Sequence, residues 1–404
     1  MKSKIFFGII VVLVLAILIY GISFAIEQYK SLMEGSENIS FQNNLTNTDN
    51  SQNQENELNS STNNEIIEVT IPEDDDYIPE YDFYFELPIN GATGYASIDI
   101  NLTSKPNSSK VIKTLSAGQG FTIISEDEDW WQIKVDNTTG WVNTKYCMIN
   151  LPDIIPSIIY DDTNSYKSLF RSSEISIPNI TGKQLYNSYK YNKRLSKDEF
   201  LMPIIYSMAK KIMDAQTAAL EDGYSLKIYE TFRPYETQKA VCKNLRNLIY
   251  ENETVYDGIY EGGWSEDWFI SQSISNHQKG VAMDVSLVKV NETKIKTTGD
   301  YKYLTVTDYS ECKMPTKMHE LSDAAITFQY GVPASSKTEW KEVPLAKTMT
   351  SDAKRLQKYC TGVGLTPLSS EWWHFNDLDT RSNIGENYST GKYNISKCYS
   401  TVPN

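Results

Sequence analysis

Residues 275–284 read SNHQKGVAMD, and residues 371–374 read EWWH. These two segments contain two of the three histidines in a chain of 404 residues. Each segment pairs an imidazole with a carboxylate, His277 with Asp284 and His374 with Glu371. Neutral imidazoles and a carboxylate can hold a catalytic Zn²⁺ at three points and leave one position open for water. The segments therefore predict a metal site built from distant parts of the chain.

The residues around Asp284 predict a strand that presents this carboxylate to a cleft. Apolar side chains alternate with small ones from 281 to 288, so Asp284 lies between two small neighbours on one face of the strand. Gly280 stands between His277 and the strand, and glycine allows the tight turn that would bring both side chains to one point. His277 and Asp284 are therefore expected to share a site.

Glu371 lies three residues before His374. Residues three apart point to opposite faces of an ideal strand, so a bulge or a turn must bring these two side chains to the same site. A carboxylate beside a water that a metal activates is a general base. We expect this role for Glu371.

Together with FRPYETQ at 232–238, these segments resemble the D-Ala-D-Ala dipeptidase and D,D-carboxypeptidase family of zinc peptidases, the vancomycin-resistance type. The patterns S-x-H-x-x-G-x-A-x-D and E-x-W-H carry the resemblance, which covers roughly residues 180–400. The resemblance implies a hedgehog-like α+β catalytic domain with one Zn²⁺. It implies His277, Asp284 and His374 as the metal ligands and Glu371 as the catalytic base.

The resemblance also implies roles around the metal for Arg233, Ser275 and Gln238. A guanidinium is always charged and has fixed donors, which suits Arg233 to stabilising a tetrahedral oxyanion. Ser275 and Gln238 are candidate substrate contacts. Each residue also has a structural interpretation, because Arg233 suits a surface salt bridge, Ser275 suits a turn cap, and Gln238 lies one turn into a predicted helix.

The third histidine, His319, departs from the pattern of strict dipeptidases in the family. In the family that this chain resembles, strict dipeptidases carry an acidic residue at about this point, and that residue neutralises the free ammonium of a dipeptide. His319 therefore weakens the case for an enzyme that accepts only dipeptides. We expect this side chain at the rim of the pocket or in a structural role.

The N-terminus predicts a membrane anchor. Residues 5–26 contain no charge, and a helix of that length covers roughly 33 Å, enough to cross a bilayer. Lys2 and Lys4 precede the span, so the N-terminus is expected in the cytoplasm and the catalytic domain outside the cell membrane. Ser23 and Ala25 leave signal cleavage and secretion as the alternative.

Composition divides the chain after the anchor, which occupies 1–26. Residues 27–87 are polar and acidic and predict a disordered linker. Short β-like runs from 88 to 150 predict a small β-barrel that resembles a bacterial SH3-like (SH3b) domain, with Gly140-Trp141-Val142 as its most specific piece. Such a domain either binds the cell wall or acts as a spacer.

Residues 151–195 predict an extended connector, and residues 196–404 a zinc D,D-peptidase domain. Ser196 and Glu199 form a capping-box pattern, which predicts that the first helix begins there and ends near Gly223. A strand at 224–232, a helix at 235–250, a strand at 281–288 and a helix at 350–361 follow. Elements in this mixed order predict an α+β fold.

The expected function is hydrolysis of the D-Ala-D-Ala terminus of peptidoglycan stem peptides, by a D,D-carboxypeptidase or dipeptidase. The net charge of −14 argues against a nucleic-acid partner. An anchored, outward-facing domain favours the carboxypeptidase, since it meets polymeric stem peptides. The alternatives are a peptidoglycan cross-bridge endopeptidase and a non-catalytic wall-binding protein, although all four chemical positions are intact.

Overall fold

The computed structural model describes residues 86–395 and 397–403. These residues belong to one compact unit. The predicted membrane span and nearly all of the predicted linker lie outside the described residues. Within the part of the chain that is described, no helix has the length and apolar character needed to cross a membrane.

The first region of the unit is an eight-stranded sheet, and the short β-like runs predicted between 88 and 150 form strands in it. Its order is β13-β7-β1-β4-β5-β6-β2-β3. The strands are β1 (Thr93–Ala96), β2 (Ile100–Thr103), β3 (Val111–Leu115), β4 (Gly120–Asp127), β5 (Trp130–Val135), β6 (Thr138–Asn143), β7 (Cys147–Asn150) and β13 (Pro203–Ile205). Trp131 is fully buried at the centre of this sheet and packs edge-on against Phe121.

The segment after β7 does more than connect two domains. It contains β8 (Ile159–Tyr160), β9 (Arg171–Ser172), β10 (Ile175–Ser176) and β11 (Tyr189–Asn192). The strand β8 pairs in parallel with β14 (Tyr224–Glu230) and so forms one edge of the second sheet. Phe170, next to β9, is buried in the common core.

The helix predicted to begin at Ser196 begins instead at Tyr206, so that prediction is wrong. Ser196 has a φ of 51° in a tight turn. The strand β12 (Lys197–Phe200) follows this turn and pairs with β11, and α1 spans Tyr206–Glu221. The capping-box pattern is local, and antiparallel pairing with a strand upstream overrides it. One face of α1 is buried, with Met208, Ile212, Ala215 and Ala219 in the core.

The second sheet has the order β17-β18-β15-β14-β8, with β16 paired to β15. Its remaining strands are β15 (Ala282–Thr298), β16 (Tyr301–Glu311), β17 (Thr366–Pro367) and β18 (His374–Asn376). Helices α2 (Tyr235–Glu251), α3 (Glu253–Tyr260), α4 (Glu266–Phe269), α5 (Ser351–Gly362) and α6 (Leu378–Ile384) accompany it. Helices and strands of mixed order confirm a mixed α and β fold.

The end of the chain runs back across the first sheet. The Tyr95 hydroxyl donates to Lys397 O at 2.7 Å, and Thr122 Oγ1 donates to Tyr399 O at 2.8 Å. Thr401 N donates to Gly91 O at 2.8 Å. Since this tail follows the strands and helices of the second sheet in sequence, it holds the regions of the two sheets together.

We predict that Gly120→Ala weakens this tie. The added Cβ would overlap the ring of Tyr399, and overpacking of this kind costs about 1–3 kcal/mol. Urea unfolding should show that loss, and limited proteolysis should cut the C-terminal tail faster. Gly362→Ala is the matched control, because its Cβ would meet nothing within 4 Å. Equal stability of the two variants would contradict the proposed stabilisation of the first sheet by the C-terminal tail.

Candidate metal centre

Three neighbouring strands bring one residue each to the same row of the second sheet. Asp284 on β15 is paired with His374 on β18, and with Glu230 on β14 across a register shift after Ile228. Directly opposed side chains on neighbouring strands lie about 4.5–5.5 Å apart at Cβ. The strand order therefore places a histidine and two carboxylates together, although Glu230 and His374 are 144 positions apart in the sequence.

His277 reaches the same point from the turn before β15. Gly280 has a φ of 71°, which is the left-handed conformation that the sequence required at this position. Its carbonyl accepts a hydrogen bond from Ile205 N at 2.9 Å, and a Cβ on it would lie 3.1 Å from Met148 Sδ. Residues of β7 and β13 therefore pack beneath the turn that carries His277.

Three ligand-type atoms meet at the centre of the site. His277 Nε2 lies 3.1 Å from His374 Nδ1 and 3.2 Å from Asp284 Oδ1. His374 Nδ1 lies 3.0 Å from the same oxygen. In a tetrahedral zinc site with bonds of about 2.0–2.1 Å, ligand atoms are about 3.3 Å apart. The triangle is therefore close to the size that such an ion requires.

The outward-facing nitrogens of both rings meet oxygen acceptors. His277 Nδ1 lies 2.6 Å from Thr231 O, and His374 Nε2 lies 2.9 Å from Asn376 Oδ1. A nitrogen that faces an acceptor carries the proton, so the other nitrogen of a neutral ring presents a lone pair. Burial lowers the pKa of His277, although Asp284 opposes this effect. Two lone pairs and a carboxylate oxygen thus face one another, and this donor set fits a metal ion.

The second oxygen of Asp284 is already engaged. Oδ2 accepts from Arg233 NH2 at 3.0 Å and from His319 Nε2 at 3.1 Å. Only Oδ1 is therefore directed at the two imidazoles. A second group of ligand-type atoms, from Glu230, Asp284 and His319, lies behind the first. The Arg233 guanidinium donates to both carboxylates there and supplies the positive charge that this second group needs.

Glu371 lies beside the triangle without belonging to it. The turn at 371–374 is closed by a hydrogen bond from His374 N to Glu371 O at 3.2 Å, which confirms that a turn joins the two residues. Glu371 Oε2 lies 3.7 Å from His374 Nδ1. Burial raises the pKa of Glu371 well above its ordinary value, the negative charge of Asp284 raises it further, and Arg233 lowers it. Such a carboxylate is suited to accepting a proton.

The formal charges of the cluster also favour a divalent cation. Glu230, Asp284, Glu371 and Arg233 are each at most 6% exposed. Three carboxylates and one guanidinium leave two negative charges when all of them are ionised. An uncompensated buried charge costs several kcal/mol, so a dication beside Asp284 would stabilise the ionised cluster.

Arg233 is buried, and the surface salt bridge considered for it is wrong. Burial lowers its pKa, but the charges of Glu230 and Asp284 outweigh burial and raise the pKa above its ordinary value. Besides these two carboxylates, the guanidinium donates to Gln238 Oε1 at 2.9 Å. Gln238 in turn donates through Nε2 to Ser271 O at 2.8 Å, so both ends of its amide are engaged. The guanidinium still lines the cavity.

The predicted residues line one cavity of about 360 Å³. All seven are in its wall: Arg233, Gln238, Ser275, His277, Asp284, Glu371 and His374. The Ser275 hydroxyl is buried and has no hydrogen-bond partner among the described residues. It does not cap the turn through that hydroxyl, because Ser275 takes part in the turn through its backbone: its N–H donates to Gln278 Oε1, and its carbonyl accepts from Lys279 N.

Some residues of the site were missed or misplaced by the sequence analysis. Glu230, which holds Arg233, follows an ordinary strand pattern and had no signal except its place three residues before the arginine. Asn376, which orients His374, lies two residues after it on the same strand face. His319 is fully buried and stacks on Phe170 with ring centres 4.3 Å apart. The rim position expected for His319 is therefore wrong, since the side chain is buried in the cavity wall, and its structural role stays a prediction.

Comparison with known proteins agrees with this geometry. A family model described as D-ala-D-ala dipeptidase matches residues 175–392, which is over half of the chain. The chain belongs to this peptidase family. A bacterial SH3 domain model matches residues 99–147, which confirms the resemblance of the first sheet. A search of curated protein sequences found no match.

One solved structure with a weak likeness is that of the LdcB LD-carboxypeptidase, which is described as revealing the molecular basis of peptidoglycan recognition. The two sequences are 15% identical, and the match covers 65% of the present chain and 92% of the LdcB chain. The TM-score is 0.22.

We predict that Asn376→Leu weakens metal binding without removing a ligand. The change deletes the acceptor for His374 Nε2, and loss of such an orienting partner typically costs about 10- to 100-fold in metal affinity. Competition with a chromogenic chelator would measure the zinc dissociation constant. Asn244→Leu is the matched control, because the Asn244 amide donates to Ala240 O within α2 and lies outside the cavity wall. Unchanged affinity in Asn376→Leu would contradict the assigned role of His374.

Proposed function

We propose that this protein is a zinc-dependent D,D-peptidase that hydrolyses the D-Ala-D-Ala terminus of peptidoglycan stem peptides. The observation that carries this proposal is the convergence of His277 Nε2, His374 Nδ1 and Asp284 Oδ1 beside Glu371 in one cavity. Membership of the D-Ala-D-Ala dipeptidase family supplies the substrate class. A hedgehog-like catalytic fold is part of the same proposal.

His277, Asp284 and His374 would hold one zinc ion. When bound, zinc supplies Lewis acidity, which polarises a scissile carbonyl and makes a water more acidic. Thr231 and Asn376 keep the two imidazoles in the ring orientation that this ligand set needs. We assign zinc because two imidazoles and a carboxylate in a three-point set are typical of catalytic zinc.

Glu371 would act as the general base and then as the general acid. Its carboxylate takes the proton of the attacking water and returns it to the nitrogen of the leaving D-alanine. The turn at 371–374 holds it near His374 without directing it into the ligand triangle. General acid–base catalysis of this kind is worth about 10²–10⁴ in rate.

Arg233 and Ser275 would act on the substrate carbonyl and backbone. Three partners engage the guanidinium, but arginine has five N–H groups, and four of them are accounted for. The remaining N–H on NH1 can donate to an oxyanion in the cavity. Ser275 offers a hydroxyl whose hydrogen-bonding capacity is unused by the described residues. Gln238 would then contribute by holding Arg233 in place.

The cellular setting remains the one expected from the N-terminus. We propose a single-pass anchor with the catalytic region outside the cell membrane, or secretion if the leader is cleaved. In that position the enzyme meets stem peptides attached to polymer, which favours carboxypeptidase over dipeptidase activity. The C-terminal tail forms hydrogen bonds with the SH3-like region and so holds it against the catalytic core. This attachment supports a spacer role for the SH3-like region.

We predict that Glu371→Gln retains zinc and loses activity. The amide keeps the size of the side chain but cannot accept the proton, so kcat should fall about 10²–10⁴-fold. Zinc content by elemental analysis should stay near one per chain. Glu236→Gln, an exposed glutamate on α2, is the control that should keep wild-type rates.

Assays on different substrates distinguish a carboxypeptidase from a dipeptidase and from an endopeptidase. Purified protein should release D-alanine from a pentapeptide stem faster than it cleaves free D-Ala-D-Ala. Release of cross-linked fragments from wall material, without D-alanine, would instead support an endopeptidase. Hydrolysis that survives Glu371→Gln would remove the assigned base, and absence of hydrolysis on every substrate would overturn the proposed function.

A further inference from the structure

A short strand that precedes the family-matched region reaches the metal centre. The family match begins at residue 175, whereas β9 is Arg171–Ser172 and Phe170 directly precedes this strand. Phe170 is 1% exposed and lines the catalytic cavity. The sequence predicted only a connector in this part of the chain, so the contact with the site is a property of the folded structure.

The strand β9 holds the segment around His319 through hydrogen bonds. Arg171 N donates to His319 O at 3.1 Å, and Leu321 N donates to Arg171 O at 2.8 Å. The Ser172 hydroxyl donates to Leu321 O at 2.6 Å. His319 has a φ of 60°, and this left-handed conformation is unfavourable for residues other than glycine. The bonds to β9 therefore keep His319 in a backbone conformation that it would not favour by itself.

Aromatic packing fixes the ring of His319. Its Nε2 donates to Asp284 Oδ2 at 3.1 Å, but its Nδ1 is buried and has no hydrogen-bond partner among the described residues. The ring lies flat on the ring of Phe170, with centres 4.3 Å apart and planes 9° apart. Trp373 meets it edge-on at 6.3 Å. Rotation of the imidazole would lose the stack, so Phe170 keeps Nε2 directed at Asp284.

The same phenylalanine contacts the second donor to this oxygen. The guanidinium carbon of Arg233 lies 5.1 Å from the centre of the Phe170 ring. Arg233 NH2 donates to Asp284 Oδ2 at 3.0 Å. A contact between a cation and an aromatic ring is strongest when the cation is desolvated, and Arg233 is only 4% exposed. One ring therefore packs against both groups that engage Oδ2.

We propose that Phe170 is a positioning residue of the metal centre, which acts on Asp284 through the stacked ring of His319. The inference rests on the proposed function, since the metal is part of that function. While His319 and Arg233 hold Oδ2, Oδ1 stays directed at the imidazoles of His277 and His374. Without the Phe170 ring, His319 would turn more freely and one of the three ligands would lose its fixed direction. Outer partners of this kind tune metal affinity by orienting the ligands.

The test compares zinc binding by four full-length proteins: wild type, Phe170→Leu, His319→Gln and the double variant. Leucine is apolar but cannot stack, and glutamine keeps an N–H donor without a ring. Competition with a chromogenic chelator should show a zinc dissociation constant about 10-fold higher in Phe170→Leu, at the low end for the loss of an orienting partner. His319→Gln should raise it at least as much. Adding Phe170→Leu to His319→Gln should then change it little, because the ring through which Phe170 acts is gone.

Phe121→Leu is the matched control. Phe121 is also fully buried and packs against an aromatic ring, that of Trp131, but it lies on β4 of the first sheet and outside the cavity wall. Both phenylalanine variants should lose stability to urea, because each leaves a void in the core. Only Phe170→Leu should lose zinc affinity.

Three results would overturn the proposal: wild-type zinc affinity in Phe170→Leu, an equal loss of affinity in Phe121→Leu, or losses that multiply in the double variant. In the last case Phe170 would act independently of His319. Folded His319→Gln protein with wild-type affinity would also overturn it, even if Phe170→Leu fails to fold. Zinc binding with the expected coupling, but without hydrolysis of any stem peptide, supports the positioning role and counts against the proposed reaction.

Discussion

The carboxylate of Asp284 is the group on which the site depends, because its two oxygens serve different partners. Oδ2 accepts from Arg233 and His319, while Oδ1 faces the imidazoles of His277 and His374. The group is only 1% exposed, so water contributes little to its stability as an anion. Its charge is compensated on one side by a guanidinium that belongs to the protein. On the other side, Oδ1 and the lone pairs of the two rings face one another, and the proposed metal ion would be held there through this one oxygen.

The strands that hold this carboxylate also explain why the SH3-like region is part of the enzyme. The turn that carries His277 rests on Met148 and Ile205, and both of these belong to the first sheet. Strand β13 leads directly into α1, and the C-terminal tail crosses back over the barrel. The turn that carries His277 is thus supported by residues of the first sheet. Displacing the barrel would be expected to loosen the position of His277, since binding sites need support from rigid neighbours.

The sequence predicted which side chains converge better than it predicted the strands and helices that hold them. The spacing around Gly280 and the turn at 371–374 follow from local chemistry, and both are found. The start of α1 could not be predicted, because the pairing of β11 with β12 is a tertiary contact that overrides a local cap at Ser196. Glu230 was missed for a similar reason, since its role depends on register across β14 and β15. Likewise, no local pattern shows that His319 is packed behind Asp284.

The most direct test of the central claim is the position of zinc in crystals of the protein, measured by anomalous scattering at the zinc absorption edge. We expect one strong peak about 2.0–2.2 Å from His277 Nε2, Asp284 Oδ1 and His374 Nδ1. Glu371 should lie beside this peak and outside bonding distance. A peak among Glu230, Asp284 and His319 instead, or no peak within reach of the His277 ring in zinc-loaded protein, would contradict the account.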